Sequence, residues 1–165
     1  MPTTPHLTWD EYFMGIALFT SLRSRDPNSK VGAVIVNDQN HIVGTGYNGF
    51  VAGADEGRFS WEREGEWLDT KYPYVVHAEV NALLNSTTDD LRNCRLYATL
   101  HPCNDCAKHI AQKRLTEVIY LSDKYRDADF HRASVTIFEA TGIRTRKLDL
   151  PPLATILERF RGFIP

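Results

Sequence analysis

Apolar positions along the chain change their period several times, and each change predicts an element. TWDE, Thr8 to Glu11, puts a hydroxyl at a helix N-cap and a carboxylate three residues later, the capping-box arrangement. Tyr12, Ile16 and Phe19 then repeat at helical spacing, so a helix is predicted to about Arg23, where RDPN breaks it. VGAVIV, Val31 to Val36, is a β-branched apolar run that reads as a buried strand. NDQN is a turn, and HIVGTGYN, His41 to Asn48, is the returning antiparallel strand. From Gly49 to Tyr74 no period holds. A loop of that length inside a domain is functional or carries a helix of its own, and FSWEREGEW is the candidate helix.

Regular periods return at His77. A helix runs from there to about Asn85, with Ala78, Ala82 and Leu83 on one face. A strand is predicted over Arg95 to Leu100, a helix over Cys103 to Arg114 and a strand over Glu117 to Leu121. A helix over Ala128 to Ala140 is closed by Gly142, IRTRKL is a strand, and PPLATILERF opens a last helix with proline in its first turn. A strand pair followed by alternating helices and strands implies an α/β fold of three layers, α-β-α, around a central mixed five-stranded sheet. No repeat or linker interrupts it, so residues 1–165 are expected to form a single domain. In such sheets ligands collect where strand ends meet helix N-termini.

Composition narrows the function classes. The 165 residues carry 19 Lys and Arg against 21 Asp and Glu, a net charge of −2. That balance argues against a nucleic acid polymer as ligand but leaves room for a single nucleotide, which needs only a few donors. No apolar run is long enough to span a membrane, and MPTTPHLTWDEY has no signal-peptide pattern, so a cytoplasmic protein is expected. The three cysteines, Cys94, Cys103 and Cys106, are too few and too odd in number for a disulfide framework.

Two stretches carry candidate chemistry. HAEVNALL puts His77 and Glu79 two apart at a helix start, and HPCNDCAKHI puts Cys103 and Cys106 at the start of another. Two thiolates and an imidazole suit tetrahedral Zn²⁺ with one position left open, the pattern of a catalytic rather than a structural ion. Helix N-terminal amides favour the thiolates and withdraw part of their charge. Glu79 then faces the same cleft without being a ligand, placed as a proton shuttle. Taken alone, the cysteine pair also fits a redox motif or half a zinc knuckle. Redox chemistry needs no histidine, and a knuckle needs a second pair that the chain lacks. Cys94 reads as a small buried thiol, and His6, His41 and His131 as surface residues. His109 stays open between core and surface. His101 is read as lining the strand end without binding metal.

With these motifs, the chain resembles the cytidine deaminase superfamily, and within it the deoxycytidylate deaminase branch. The likeness runs from about Trp9 to Lys147, through RSRDPNSKVGAVIV, GYNGF, DTKYPYVVHAEVNALLN, HPCNDCAKHIAQ and VIYLSDKYRDAD. The resemblance implies hydrolysis of dCMP to dUMP, the precursor for thymidylate synthesis, with one zinc ion per chain held by His77, Cys103 and Cys106 and activating the attacking water. Glu79 would shuttle protons, and backbone groups at Ala78 and Cys103 would read the base. Asn48 would meet a sugar hydroxyl. Arg23, Asn28, Lys30 and Tyr125 are the candidates for the phosphate. The resemblance further implies a homo-oligomer, a hexamer, with dCTP and dTTP as regulators. The rival readings are a deaminase of another cytosine nucleotide or nucleoside, and a catalytically silent zinc-binding assembly protein.

Overall fold

The capping box forms as the sequence predicts. The Thr8 hydroxyl accepts from the Glu11 amide, and the Glu11 carboxylate accepts from the Thr8 amide at 2.8 Å. This opens α1 (Trp9–Ser21), which buries Phe13, Met14 and Ala17 at helical spacing. The structure is a computed structural model and describes residues 5–161; the two ends of the expected 1–165 domain lie outside the described residues.

After α1 come β1 (Gly32–Val36) and β2 (Ile42–Tyr47). Their turn is tied by the Asn37 side chain, which accepts from the Gln39 and His41 amides, and Asn40 takes the left-handed φ of 63°. Next are β3 (Gly49–Phe50), β4 (Val75–Val76), α2 (Ala78–Leu84), β5 (Arg95–Leu100) and α3 (Asn104–Gln112). The chain continues through β6 (Glu117–Ser122), α4 (Asp129–Thr141), β7 (Arg144–Lys147) and α5 (Leu153–Glu158). The central sheet has five strands in the order β2-β1-β5-β6-β7. β1 is antiparallel to both neighbours, while β5, β6 and β7 run parallel, so the sheet is mixed as expected.

Strand alternation sorts the core into two layers. Ala33, Ile35, Leu96, Ala98 and Val118 face α2, α3 and α4, packing on Ala82, Ala107, Ile110 and Phe138. Val34, Val36, Tyr97 and Ile119 point to the other face, against Phe13, Met14 and Ala17 of α1. Gly142 closes α4 in the left-handed conformation at φ 72°.

The long segment departs from expectation. FSWEREGEW forms no helix. The segment's helical turns are short 3₁₀ pieces at Glu56–Arg58 and Trp67–Asp69, and its ends pair as the β3–β4 ribbon. Aromatic contacts hold it instead, with Phe50 packed on Trp61 and Phe59 stacked on Tyr74. The apolar residues here meet one another rather than a helix stripe, so no period marks them.

Candidate active site

His77 and Cys103 are the N-cap residues of α2 and α3, and neither side chain caps its own helix. Both are therefore free to face a shared point between the helix starts. Cys106 lies in the first turn of α3, on the same face as Cys103. The His77 Nδ1 atom is 3.4 Å from the Cys103 sulfur and 3.3 Å from the Cys106 sulfur, and the two sulfurs are 3.6 Å apart. Zn–S bonds near 2.3 Å and a Zn–N bond near 2.0 Å at tetrahedral angles give edges of about 3.5 to 3.8 Å. The observed triangle fits one zinc ion with slight expansion. Among the described residues these three form the metal-competent group.

Without a cation the donors share protons. Cys103 is pulled down to about 4, first by the thiol hydrogen bond from Cys106 and then by His77, against the cost of burial. His77 is raised to about 9, chiefly by its hydrogen bond to Cys103. Cys106 is pushed well above its ordinary value, because it donates to Cys103 and is buried. Glu79 is only 4% exposed, and burial raises its carboxyl. A carboxyl that holds its proton more tightly than usual suits proton transfer near neutral pH.

A cavity of about 370 Å³ opens beside this group. His77, Ala78, Glu79, His101 and Cys103 line it, as do Ser29, Arg63, Tyr72 and Tyr125. Of the residues expected at the substrate, Asn48, Ala78 and Tyr125 line the cavity. Arg23, Asn28 and Lys30 lie outside that lining and are exposed. Asn28 Nδ2 donates to the Trp61 carbonyl, and Lys30 Nζ donates to the Ser24 carbonyl. These side chains brace the loop after α1.

Three cavity residues lay unmarked in the sequence. Asp26 and Lys71 form a buried ion pair at 2.5 Å. Burial pushes the Asp26 carboxyl up, but the Lys71 ammonium and the Asn28 and Ser29 amides outweigh it and hold it below its ordinary value. Arg63, its Nε donating to the Tyr72 hydroxyl, adds a cation to the wall. All three come from irregular segments, where charge reads as solvated loop. His131, expected on the surface, instead packs its ring 4.1 Å from the His101 ring, and its Nε2 is buried. His101 is buried at the cavity wall, and its Nδ1 donates to the Pro102 carbonyl.

Residues 7–122 match the model of the cytidine and deoxycytidylate deaminase zinc-binding region. The chain belongs to this deaminase family. The deoxycytidylate deaminase of Homo sapiens is 47% identical over 156 residues, covering 94% of this chain and 87% of the relative. The probable deoxycytidylate deaminase of Drosophila melanogaster is 44% identical, covering 96% of this chain and 80% of the relative. A crystal structure of dCMP deaminase from the cyanophage S-TIM5, in complex with dCMP and dUMP, superposes with a TM-score of 0.68 at 30% identity. It covers 87% of this chain and all of that one, 100%. Within the deaminase family's zinc-binding region, this chain's own metal donors are His77, Cys103 and Cys106. No helix among the described residues is long and apolar enough to cross a membrane.

Proposed function

We propose that this chain hydrolyses the exocyclic amine of dCMP, giving dUMP and ammonia, as one deaminase domain. The observation that carries this reading is the buried Glu79 carboxyl beside a three-donor zinc triangle, with Glu79, His77 and Cys103 lining a cavity of nucleotide size. Relatives named for dCMP, and the cyanophage enzyme's complex with dCMP and dUMP, support the choice of substrate.

His77, Cys103 and Cys106 would hold the zinc ion, which would supply a water acidic enough to ionise near neutral pH. Glu79 is placed to take a proton from the attacking water, and burial strengthens its hold on it. It would pass that proton to N3 of the cytosine as C4 becomes tetrahedral, then take the proton of the new C4 hydroxyl and hand it to the amine, so that ammonia leaves as the C4 carbonyl forms. Ala78, next to both His77 and Glu79, offers backbone groups to the base edge. The 5′-phosphate lies toward Ser29, Arg63 and Tyr125. Lys124 belongs to the same cluster: its Nζ donates to the Ser29 hydroxyl at 3.0 Å and sits 4.8 Å over the Tyr125 ring. Exposed cations suit a charged phosphate that stays partly hydrated.

The protein acts in the cytoplasm as a homo-oligomer, a hexamer, regulated by dCTP and dTTP. Exposed Trp9 and Phe19 on α1, with Leu22 at its C-cap, support burial of that helix against another copy. Rates on dCMP, deoxycytidine, CMP and dCTP, with and without dCTP and dTTP as effectors, test the reading. dCMP should be the best substrate, and equal turnover of deoxycytidine would remove the role given to the phosphate.

A further inference from the structure

Segment 62–70 is tied at its neck and exposed at its tip. Lys71 closes the neck, its amide donating to the Glu62 carbonyl at 3.0 Å, and Thr70 and Lys71 are both buried. The Lys71 ammonium is anchored on Asp26, whose Oδ2 also accepts from Asn48 Nδ2 and whose Oδ1 accepts from the Asn28 and Ser29 amides. On the other side of the neck, the Trp61 carbonyl accepts from Asn28 Nδ2. Beyond these anchors every residue from Glu62 to Asp69 is exposed. Its internal bonds are local: the Asp69 amide donates to the Glu66 carbonyl, and the Thr70 amide and hydroxyl donate to the Trp67 carbonyl. Two exposed bonds reach the chain just beyond, from Arg63 Nε to the Tyr72 hydroxyl and from the Tyr74 hydroxyl to the Leu68 carbonyl. Gly65 turns the tip at φ 125°, where a side chain would be strained.

Two residues of this loop line the cavity, Arg63 and Trp67, one a cation and the other an indole. Its carboxylates, on Glu62, Glu64, Glu66 and Asp69, do not. Trp67 is 62% exposed, so it stands where the cavity meets solvent. Its ring partner is Tyr72, in a near-parallel pair with centroids 6.0 Å apart and planes at 8°. At that spacing the rings overlap little, and most of the indole is left without apolar cover. Leu68, next in the turn, is 69% exposed but lies outside the cavity lining. The indole therefore keeps apolar area in water that an occupant of the cavity can cover. A nucleotide offers the matching surface in the flat face of its base.

We propose that residues 62–70 form a flap that closes on the bound nucleotide, and that Trp67 is its substrate-contact residue, packing its indole on the nucleoside portion. This rests on the dCMP reading given above. The fixed neck at Glu62 and Lys71 keeps the loop in register with the cavity while the exposed tip moves, the division of labour of an active-site flap. Closure buries the indole and slows departure of the nucleotide. The four carboxylates stay on the solvent side, away from an anionic ligand.

The test uses zinc-loaded wild type, Trp67→Ala, Trp67→Phe and, as control, Leu68→Ala, which removes exposed apolar surface that does not line the cavity. The product dUMP is the binding probe, and dCMP and deoxycytidine are the substrates. Amide hydrogen exchange in the 62–70 peptide should slow when dUMP binds wild type, and should slow much less in Trp67→Ala. Trp67→Ala should raise the dUMP Kd and the dCMP KM about 10- to 100-fold, the size expected when about half of an indole's surface is covered. Its kcat should equal or exceed that of wild type, since the indole touches no reacting atom and flap opening precedes product release. Trp67→Phe should recover most of the affinity, Leu68→Ala should match wild type, and the loss in kcat/KM should be as large on deoxycytidine as on dCMP. An unchanged Kd and KM in Trp67→Ala, or exchange in 62–70 that is indifferent to dUMP, overturns the inference. So does a loss equally large in Leu68→Ala. A loss on dCMP that spares deoxycytidine overturns it too, since Trp67 would then act through Tyr72 and Arg63 on the phosphate. A wild type that does not act on dCMP would instead refute the functional reading itself.

Discussion

A Cβ placed on Gly46 would stand 2.3 Å from the carbonyl oxygen of Ala78 and equally close to the Ala82 amide nitrogen. The backbone of β2 thus runs directly against the backbone of α2, and Gly44 repeats the approach two residues earlier, at 2.5 Å from the Ala82 carbonyl. Asn81 adds a tie by donating to the Tyr47 carbonyl at 2.8 Å. This contact sets the height of α2 above the sheet, and with it the places of His77 and Glu79. Gly46→Ala should lift the helix. Overpacking of this kind costs about 1 to 3 kcal/mol, and more where backbone must yield. Each kcal/mol lowers the melting temperature by about 2 to 4 °C in a domain of this size. Zinc content should fall together with stability. Gly15→Ala is the control, since its Cβ meets nothing within 4 Å, and it should stabilise α1 slightly. Thermal melts and metal analysis of the two variants check this, and an unperturbed Gly46→Ala would refute it.

Glu79 stands apart from the metal triangle in role. Glu79→Gln keeps the shape of the side chain but cannot carry the proton. Activity should fall by about 10² to 10⁴, the usual contribution of general acid–base catalysis. Zinc should stay near one ion per chain, because the three donors are intact. Single-turnover rates and metal analysis on the same sample separate the two effects. Loss of zinc in Glu79→Gln would mean that the carboxylate helps to hold the ion.

Zinc uptake should release protons in a countable way. At pH 7 the metal-free site holds Cys103 as thiolate, since it titrates at about 4, while His77, at about 9, is protonated and Cys106 remains a thiol. Binding needs two thiolates and a neutral imidazole, so about two protons should leave per ion. Affinity should therefore weaken as pH falls, more steeply still below about 4, where Cys103 also gains a proton. Calorimetry in buffers of different ionisation enthalpy measures the proton count. Cys103→Ser and His77→Ala should each lose zinc and activity together.

The zinc triangle is legible in the sequence because each ligand segment opens a helix, and the N-cap and first-turn positions of one helix necessarily share a face. Strands β1, β2 and β6 are legible for a related reason: their β-branched residues lie between clear turn residues. Segment 51–74 is not, since its aromatic residues pack on one another and its ends meet in a two-residue ribbon too short to show alternation. Lys71 and Arg63 come from that segment. A lysine in an irregular stretch looks solvated until tertiary structure brings it onto the buried Asp26 carboxylate. The RSRDPNSK cluster shows the limit of reading charge from local sequence. Its local charge density suggests an anion site, but Arg25 pairs with Glu56 and Lys30 with a main-chain carbonyl, and the residues of this stretch that line the cavity are Asp26 and Ser29.

The same pair sets a pH dependence of stability. The Asp26 carboxyl lies below its ordinary value of 3.8 in the folded chain. A depressed acid stabilises the fold fully above its unfolded pKa, and that contribution disappears as pH falls through the folded one. Removing one partner of a buried pair costs about 3 to 5 kcal/mol, because the other charge is left without compensation. Asp26→Asn should therefore be much less stable than wild type at pH 7, where Lys71 loses its counter-ion. Below pH 3.8 the wild type progressively takes up the proton on Asp26 and loses the same counter-ion, so the two stability curves should converge. Asp10 and Glu11 are also depressed, by Arg146 for Asp10, and by the Thr8 amide and then Arg159 for Glu11, but they are common to both proteins and cancel in the difference. Urea denaturation from pH 7 to pH 3 reads that difference directly. A gap that stays constant across the range would mean that the Asp26 carboxylate contributes through its shape and hydrogen bonds to Asn28, Ser29 and Asn48 rather than through its charge.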